Sequence, residues 1–132
     1  MILLTIVSCS KGNDDMLEKK KFKLKADEIK PLATGHGACF ATNMITIDGK
    51  KINFMYREKP HNENDSGWKF FSGYEDDEYI NDSKNTQIYD VNTIANYDPD
   101  IIPFLNSPIN TAFERNQETG KIEQVFDFEF PE

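Results

Sequence analysis

The stretch that decides the predicted fold is ACFATNMITIDGKKINFMYRE, residues 38–58. Its first ten residues are rich in β-branched and aromatic side chains, which predicts a strand. The dipeptide Asp48-Gly49 follows and is typical of two-residue hairpin turns, which need positive φ at both positions. After it, Phe54 and Tyr56 alternate with residues of the opposite face. We therefore expect a β-hairpin over this stretch.

The rest of the chain predicts further short elements of both kinds. A helix is expected in YEDDEYINDS (74–83) and another over 91–96, where the Asp90 carboxylate suits the N-cap position. We expect IIPFLNSPIN (101–110) to be extended. Further strands are predicted in WKFFSG (68–73), around Ile88, over 113–115 and in KIEQVFDFEF (121–130). Together these predict an α+β fold, an antiparallel sheet built from hairpins with one or two short helices.

Charge is distributed unevenly along the 132 residues, whose formal net charge is −8. Residues 1–60 carry eleven Lys/Arg against seven Asp/Glu, whereas residues 61–132 carry four against sixteen. An acidic half argues against nucleic-acid binding, which needs Lys and Arg to displace the counterions of phosphates. It suits either a solvated surface or a basic protein partner.

The N-terminus resembles a bacterial lipoprotein signal. Ile6-Val7-Ser8-Cys9 matches a lipobox, in which cleavage precedes a cysteine that then carries lipid. We expect residues 1–9 to be this signal, 10–36 to be tether and lead-in, and 37–132 to be one domain. The predicted location is the cell envelope, with the membrane contacted only through the lipid. A signal peptide requires a Lys or Arg before its apolar run, and this short run has none. A truncated start, a buried N-terminal strand and a cytoplasmic protein therefore stay alternatives.

The lead-in leaves two local structures open. Residues 14–30 predict a helix, since two acids at its start suit the helix dipole. The alternation of Phe22 and Leu24 with lysines equally suits a first strand. Pro31 ends either element, and a glycine-rich turn follows it.

Metal binding is not predicted. Asn62-x-Asn64-x-Ser66-Gly67 imitates the start of an EF-hand loop, but position twelve is Gly73 rather than the required Glu. Structural zinc takes four ligands, and with Cys9 assigned to the lipid only three Cys and His side chains remain. They are His36, Cys39 and His61. We expect no metal and no cofactor.

Catalysis is not predicted either. Cys39 with a histidine would make a nucleophile and base, but it lies in a predicted strand, where an inert buried cysteine is more common. Acids such as Glu58, Asp65 and Glu75 allow a glycosidase-like pair. They are too frequent here to single one out, so a hydrolase is the least favoured alternative.

A braced loop followed by a recognition surface is the remaining candidate site. Asp65-Ser66-Gly67 has the residues of a tight turn. Arg57 is expected to brace that turn by reaching Asp65 or Glu75. The predicted partner contacts follow the turn, and a buried tryptophan with a solvated helix start is the alternative interpretation. These contacts are Trp68, Tyr74, Glu75, Asp76, Asp77 and Glu78.

The chain resembles a bacterial family over the run GACFATNMITIDGKKINFMYREKP…DSGWKFFSGYEDDEYI. This family was first catalogued as a domain of unknown function. It was later placed among the immunity proteins of polymorphic toxin systems, as immunity family thirty-three. The resemblance covers roughly residues 37–113. Its most specific parts are MYRE (55–58) and DSGW (65–68), followed by Phe70, Phe71, Gly73 and Glu75.

The resemblance implies an α+β, non-enzymatic protein with no catalytic residues. It further implies a cognate toxin as the partner, and the acidic half suggests that this toxin is basic. We therefore expect a toxin-neutralising binding protein. An envelope lipoprotein that binds a peptide, glycan or other small ligand through Trp68 and nearby tyrosines is the alternative.

Overall fold

The computed structural model describes residues 20–131. They form one six-stranded sheet and several short helices. The strands are β1 (Ala38–Thr42), β2 (Phe54–Arg57), β3 (Asp65–Phe71), β4 (Thr86–Asp90), β5 (Thr111–Arg115) and β6 (Ile122–Val125). The α-helices are α1 (Asn43–Thr46), α2 (Asp77–Asn81) and α3 (Val91–Tyr97), and 3₁₀ helices occupy Ala26–Glu28, Ser83–Asn85 and Pro99–Phe104.

The strands lie in the order β4-β1-β3-β2-β5-β6. Strands β2 and β3 form a hairpin, and so do β5 and β6, while β1 and β3 are parallel. The predicted α+β class is confirmed, and the sheet is mixed but mostly antiparallel.

The hairpin predicted over residues 38–58 is wrong. Strand β1 ends at Thr42, and the next residues form α1, in which the Ile47 N–H donates to the Asn43 carbonyl at 2.8 Å. Positive φ occurs at Gly49 but not at Asp48, so the two-residue turn is not formed. Because β3 and β4 occupy both sides of β1, β2 cannot pair with it, and this tertiary arrangement overrides the local β preference.

The two helices predicted from the sequence are present, but the extended structure predicted after them is only partly so. Helix α3 begins after Asp90, whose Oδ1 accepts from the Asn92 N–H at 2.8 Å, as predicted. Helix α2 is likewise capped by Asp76. The extended structure predicted for 101–110 is wrong over its first part, because residues 99–104 form a 3₁₀ helix that buries Ile101. Prolines marked this stretch as irregular but did not reveal its apolar face.

The core lies on one face of the sheet. Met55, Trp68, Phe70 and Phe113 project from the strands, each 5% exposed or less. Helices α1 and α3 and the last 3₁₀ helix cover them. The covering side chains are Ile45, Val91, Ile94, Ala95, Ile101 and Leu105.

A buried ion pair closes one end of this core. The Arg115 Nη2 lies 2.7 Å from the Asp98 Oδ2, which also accepts from the Ile52 N–H at 2.9 Å. Asp98 and Arg115 are both buried. The Arg115 Nη1 also lies 3.0 Å from the Asp100 Oδ2. Removal of Arg115 would therefore leave the buried Asp98 carboxylate uncompensated, whereas Arg115 would keep a partner if Asp98 were removed.

The described part of the lead-in packs along α3. The Leu24 N–H donates to the Tyr97 hydroxyl at 3.1 Å, and the Asn92 side chain accepts from the Leu32 and Ala33 N–H groups. Among residues 20–30 the structure contains one 3₁₀ turn, Ala26–Glu28, and neither the predicted α-helix nor the predicted strand. The predicted signal and Cys9 lie outside the described residues, so the division at residues 9 and 36 stays a prediction. In residues 20–131 no helix has the length and apolar character needed to cross a membrane.

Candidate partner-binding site

The tight turn predicted at residues 65–67 lies instead at residues 61–64, and residues 65–67 begin β3. Side chains at the start of β3 hold this turn. The Asp65 carboxylate accepts from the His61 N–H at 2.8 Å and from the Gly67 N–H at 2.9 Å. The Ser66 hydroxyl donates to the Ala38 carbonyl at 2.5 Å. These bonds tie the turn both to itself and to β1, as turn residues of this kind commonly do.

Gly67 permits β2 and β3 to approach each other. Its φ is +86°, and a Cβ at this position would lie 2.1 Å from the Glu58 carbonyl oxygen. That oxygen belongs to the residue whose N–H donates to the Gly67 carbonyl at 3.0 Å. Only glycine combines this conformation with this separation.

Arg57 braces the turn, but through different atoms from those predicted. Its Nε donates to the Ser66 carbonyl at 2.8 Å, and its Nη1 donates to the Ser107 carbonyl at 2.7 Å. The ion pairs among the described residues do not include Arg57 with Asp65 or Glu75. The guanidinium therefore braces the turn through backbone carbonyl groups and not through a carboxylate.

Trp68 lies in the core and not at the surface. Its side chain is 0% exposed, stacks on Phe70 at a centroid distance of 5.8 Å, and donates from Nε1 to the Leu105 carbonyl at 3.1 Å. The structure thus corrects its predicted role as a partner contact. The indole joins the sheet to the 3₁₀ helix that covers it.

The acidic run Glu75–Glu78 divides into structural and exposed members. Glu75 is half-buried, and its carboxylate accepts from the Thr42 hydroxyl, from the Ser72 N–H at 2.9 Å and from the Gly73 N–H at 3.0 Å. Asp76 caps α2. Asp77 and Glu78 are exposed on the first turn of that helix. Tyr74, just before the run, is 66% exposed.

The second face of the sheet is also apolar and aromatic. The strand register places one row of side chains across it: Ile88, Phe40, Lys69, Tyr56, Ala112 and Val125. Over β2, the C-terminal residues Phe128 and Phe130 lie with ring centroids 4.9 Å and 5.8 Å from that of Tyr56. Part of this face is therefore covered by the chain itself.

Beside the covered part lies a groove of about 270 Å³. We call it the aromatic groove and define it by Phe40, Tyr56, Lys69, Phe71, Ile80 and Thr86. An adjoining hollow shares Tyr56, Phe71 and Ile80 with it and is bordered by Glu75 and Asp77. The acidic run and the aromatic groove are thus one continuous surface.

Lys69 is the cation within this surface, and its charge is balanced. Its Nζ lies 2.8 Å from the Glu58 Oε2 and 5.4 Å from the centre of the Phe40 ring. Partial burial opposes the charged form, but the hydrogen bond to Glu58 and the nearby Tyr56 and Asp65 raise the pKa of Lys69 overall. Burial raises the pKa of Tyr56. The groove floor therefore carries no unpaired positive charge at neutral pH.

The candidate nucleophile is buried in the core. Burial raises the pKa of Cys39 far above the ordinary thiol value, and Asp90 and Asp65 raise it further. The thiol therefore stays protonated and is a poor nucleophile. Among residues 20–131, no three His, Cys, Asp or Glu side chains come together as a metal site would require.

Sequence reasoning missed the residues that line the aromatic groove. Phe40 and Ile80 were assigned only to a predicted strand or helix, and Phe71 only to a predicted strand and to the family resemblance. The alternation in β2 was a usable signal, because Phe54 and Tyr56 share one face while the more deeply buried Met55 lies on the other. Two apolar faces on one strand indicate that both sides of the sheet are covered or bound.

The family model of the Immunity protein Imm33 domain matches residues 39–126 of the chain. The chain belongs to this immunity protein family. The match begins inside β1 and ends one residue after β6, so it includes nearly the whole sheet of this Imm33 domain. No curated protein and no solved structure matches the chain.

The family-like motifs of this Imm33 domain are cross-strand neighbours. MYRE (55–58) and DSGW (65–68) meet at one end of the β2–β3 hairpin, where Arg57 pairs with Trp68 and the Glu58 N–H donates to the Gly67 carbonyl. The motifs supply the Arg57 hydrogen bond to the Ser66 carbonyl, the close approach of the strands at Gly67 and the buried Trp68 indole. These contacts hold the hairpin together, whereas Tyr56 of the first motif lies on the opposite face of the sheet and lines the aromatic groove.

Proposed function

We propose that this protein is a non-enzymatic immunity protein that neutralises a cognate toxin by binding it. The observation that carries the proposal is the Imm33 match over residues 39–126. The absence of an enzymatic role is part of the proposal. It is supported by the buried, protonated Cys39 and by the engagement of the Glu75 carboxylate with a hydroxyl and two backbone N–H groups.

The toxin is proposed to meet the acidic first turn of α2. Asp76, Asp77 and Glu78 are exposed there, in a half of the chain that carries sixteen acidic against four basic residues. An acidic surface attracts a basic partner, speeds encounter and disfavours wrong partners. We infer a basic toxin and no nucleic-acid partner.

The alternative of a small-ligand lipoprotein has less support. It relied on Trp68 as a binding platform, and that side chain is buried.

Growth rescue tests the proposed function. The product of the gene that adjoins this one, expressed alone, is expected to arrest growth of a bacterial host. Co-expression of the full chain is expected to restore growth, and the two purified proteins are expected to form a complex. Continued arrest in the presence of well-folded protein would contradict the proposal.

We further propose that Cys9 carries a lipid and holds the domain at the cell envelope. The support is the lipobox-like Ile6–Cys9 sequence. In the source bacterium, the full chain is expected to sediment with membranes and to incorporate a fatty-acid label, whereas Cys9→Ser is expected to do neither. Unlabelled wild-type protein in the cytosolic fraction would favour the cytoplasmic alternative.

A further inference from the structure

The second face of the sheet has a part that the described chain leaves uncovered. Phe128 and Phe130 cover β2, but Ile88, in the edge strand β4, is 59% exposed, and Ile80 on α2 is 38% exposed. Phe40 neighbours Ile88 in the same row of the sheet and lines the aromatic groove together with Ile80. Contiguous exposed apolar surface on a small protein commonly marks an interaction site.

The chain's own C-terminal segment indicates what kind of group this face accepts. Phe128 and Phe130 are two residues apart, and both pack against Tyr56. An extended segment thus places alternate apolar side chains on the sheet and leaves the intervening Glu129 exposed. The adjacent aromatic groove is open to a side chain of another molecule in the same way.

The charges around the groove favour a basic segment as its occupant. Glu75 and Asp77 border it, Glu78 is exposed beside them, and the Lys69 charge is paired with Glu58. A second copy of this chain would bring the same acids against one another, because a two-fold interface uses the same surface twice. A basic segment would instead have its charges matched.

We propose that the aromatic groove is the seat of one apolar side chain carried by a basic segment of the toxin. This inference rests on the proposed function and adds to it the place and chemistry of contact. A buried apolar anchor supplies most of the affinity in such interfaces. The surrounding acids hold the flanking Lys or Arg residues and set the rate of encounter.

Two matched pairs of variants of the full chain test the proposal. Ile80→Ser removes an apolar wall of the groove, and Ile109→Ser makes the same change at a site that is 42% exposed and does not line the groove. Asp77→Lys reverses a charge at the border, and Glu118→Lys makes the same charge change on the turn between β5 and β6. The probe is the purified toxin whose arrest of growth the wild-type chain relieves, titrated at fixed ionic strength.

The two groove variants are expected to raise the dissociation constant by about tenfold or more, and the two controls by less than about threefold. Circular dichroism melts establish that each variant folds, and if Ile80→Ser does not fold, the exposed Asp77 pair decides. Equal affinities for all four variants, with growth rescue intact, would overturn the proposal that the groove binds the toxin and leave the immunity function standing. If the wild-type chain relieves the growth arrest of no toxin, both proposals fail. A dimer seen by light scattering and dissociated by Ile80→Ser would assign the groove to a second copy and overturn the inference.

Discussion

Gly67 and Gly120 both adopt positive φ, at +86° and +76°, but they differ in their surroundings. A Cβ at Gly67 would collide with the Glu58 carbonyl, whereas a Cβ at Gly120 would meet nothing within 4 Å. The pair therefore separates the cost of the backbone conformation from the cost of the close approach between β2 and β3.

We expect Gly120→Ala to lower the free energy of unfolding by about 1–2 kcal/mol, the cost of the left-handed conformation. Gly67→Ala is expected to lower it by about 3 kcal/mol or more, because the β2–β3 hydrogen bonds must also shift. Denaturant unfolding followed by Trp68 fluorescence measures both. Equal losses would contradict the packing described for Gly67.

Glu75 and Asp77 belong to one acidic run but have different tasks. Glu75→Gln replaces an oxygen that accepts a hydrogen bond with an amide nitrogen that cannot, so we expect a loss of about 1–3 kcal/mol of stability. Asp77→Asn is expected to change stability by less than about 0.5 kcal/mol, since Asp77 is exposed. Thermal melts of the two variants check this, and an equal effect on stability would contradict the division.

At the scale of elements, the C-terminal segment is a cover for the second face of the sheet. Phe128 contacts Phe54 and Tyr56 at centroid distances of 5.1 Å and 4.9 Å. Phe126, two residues earlier, is 86% exposed. The two phenylalanines thus offer the same side chain in opposite environments.

Phe128→Ala is expected to lower the free energy of unfolding by about 1–3 kcal/mol, because it removes aromatic contact and uncovers Tyr56. Phe126→Ala is expected to change it by less than about 0.5 kcal/mol. Urea unfolding at equilibrium measures the difference. A neutral Phe128→Ala would show that this segment does not stabilise the sheet.

Helix caps and side-chain alternation predicted individual elements of the fold. The Asp90 cap identified α3, and alternation identified β2. The order of strands was not predictable in this way, because Asp48-Gly49 predicts a hairpin unless β1 is already paired on both sides. A parallel β1–β3 pair depends on contacts between residues far apart in sequence, which no local pattern contains.

The candidate site shows the same division. The hydrogen bonds by which the Asp65 and Ser66 side chains hold the loop were predicted from turn chemistry, although residues 65–67 lie in β3 and not in the turn. The burial of Trp68 was not, because a tryptophan at the start of a strand suits either the core or an interface. The groove required the strand order, since Phe40 and Tyr56 become neighbours across Lys69 only in the assembled sheet.

The whole molecule is a sheet with two apolar faces. One is covered by helices, and the other is covered only in part by the C-terminal segment. Glu75 and Asp77 border the uncovered part. We propose that a molecule so arranged binds a basic toxin and catalyses no reaction.

The measurement that tests this claim most directly is calorimetric titration of the full chain with the purified toxin at about 0.05 M and about 0.5 M salt. The wild-type chain is expected to bind one toxin molecule, more weakly at high salt, and the double variant Asp77→Asn/Glu78→Gln is expected to lose most of that salt dependence. Absence of binding by folded wild-type protein, or an affinity that neither salt nor the double variant changes, would contradict the account.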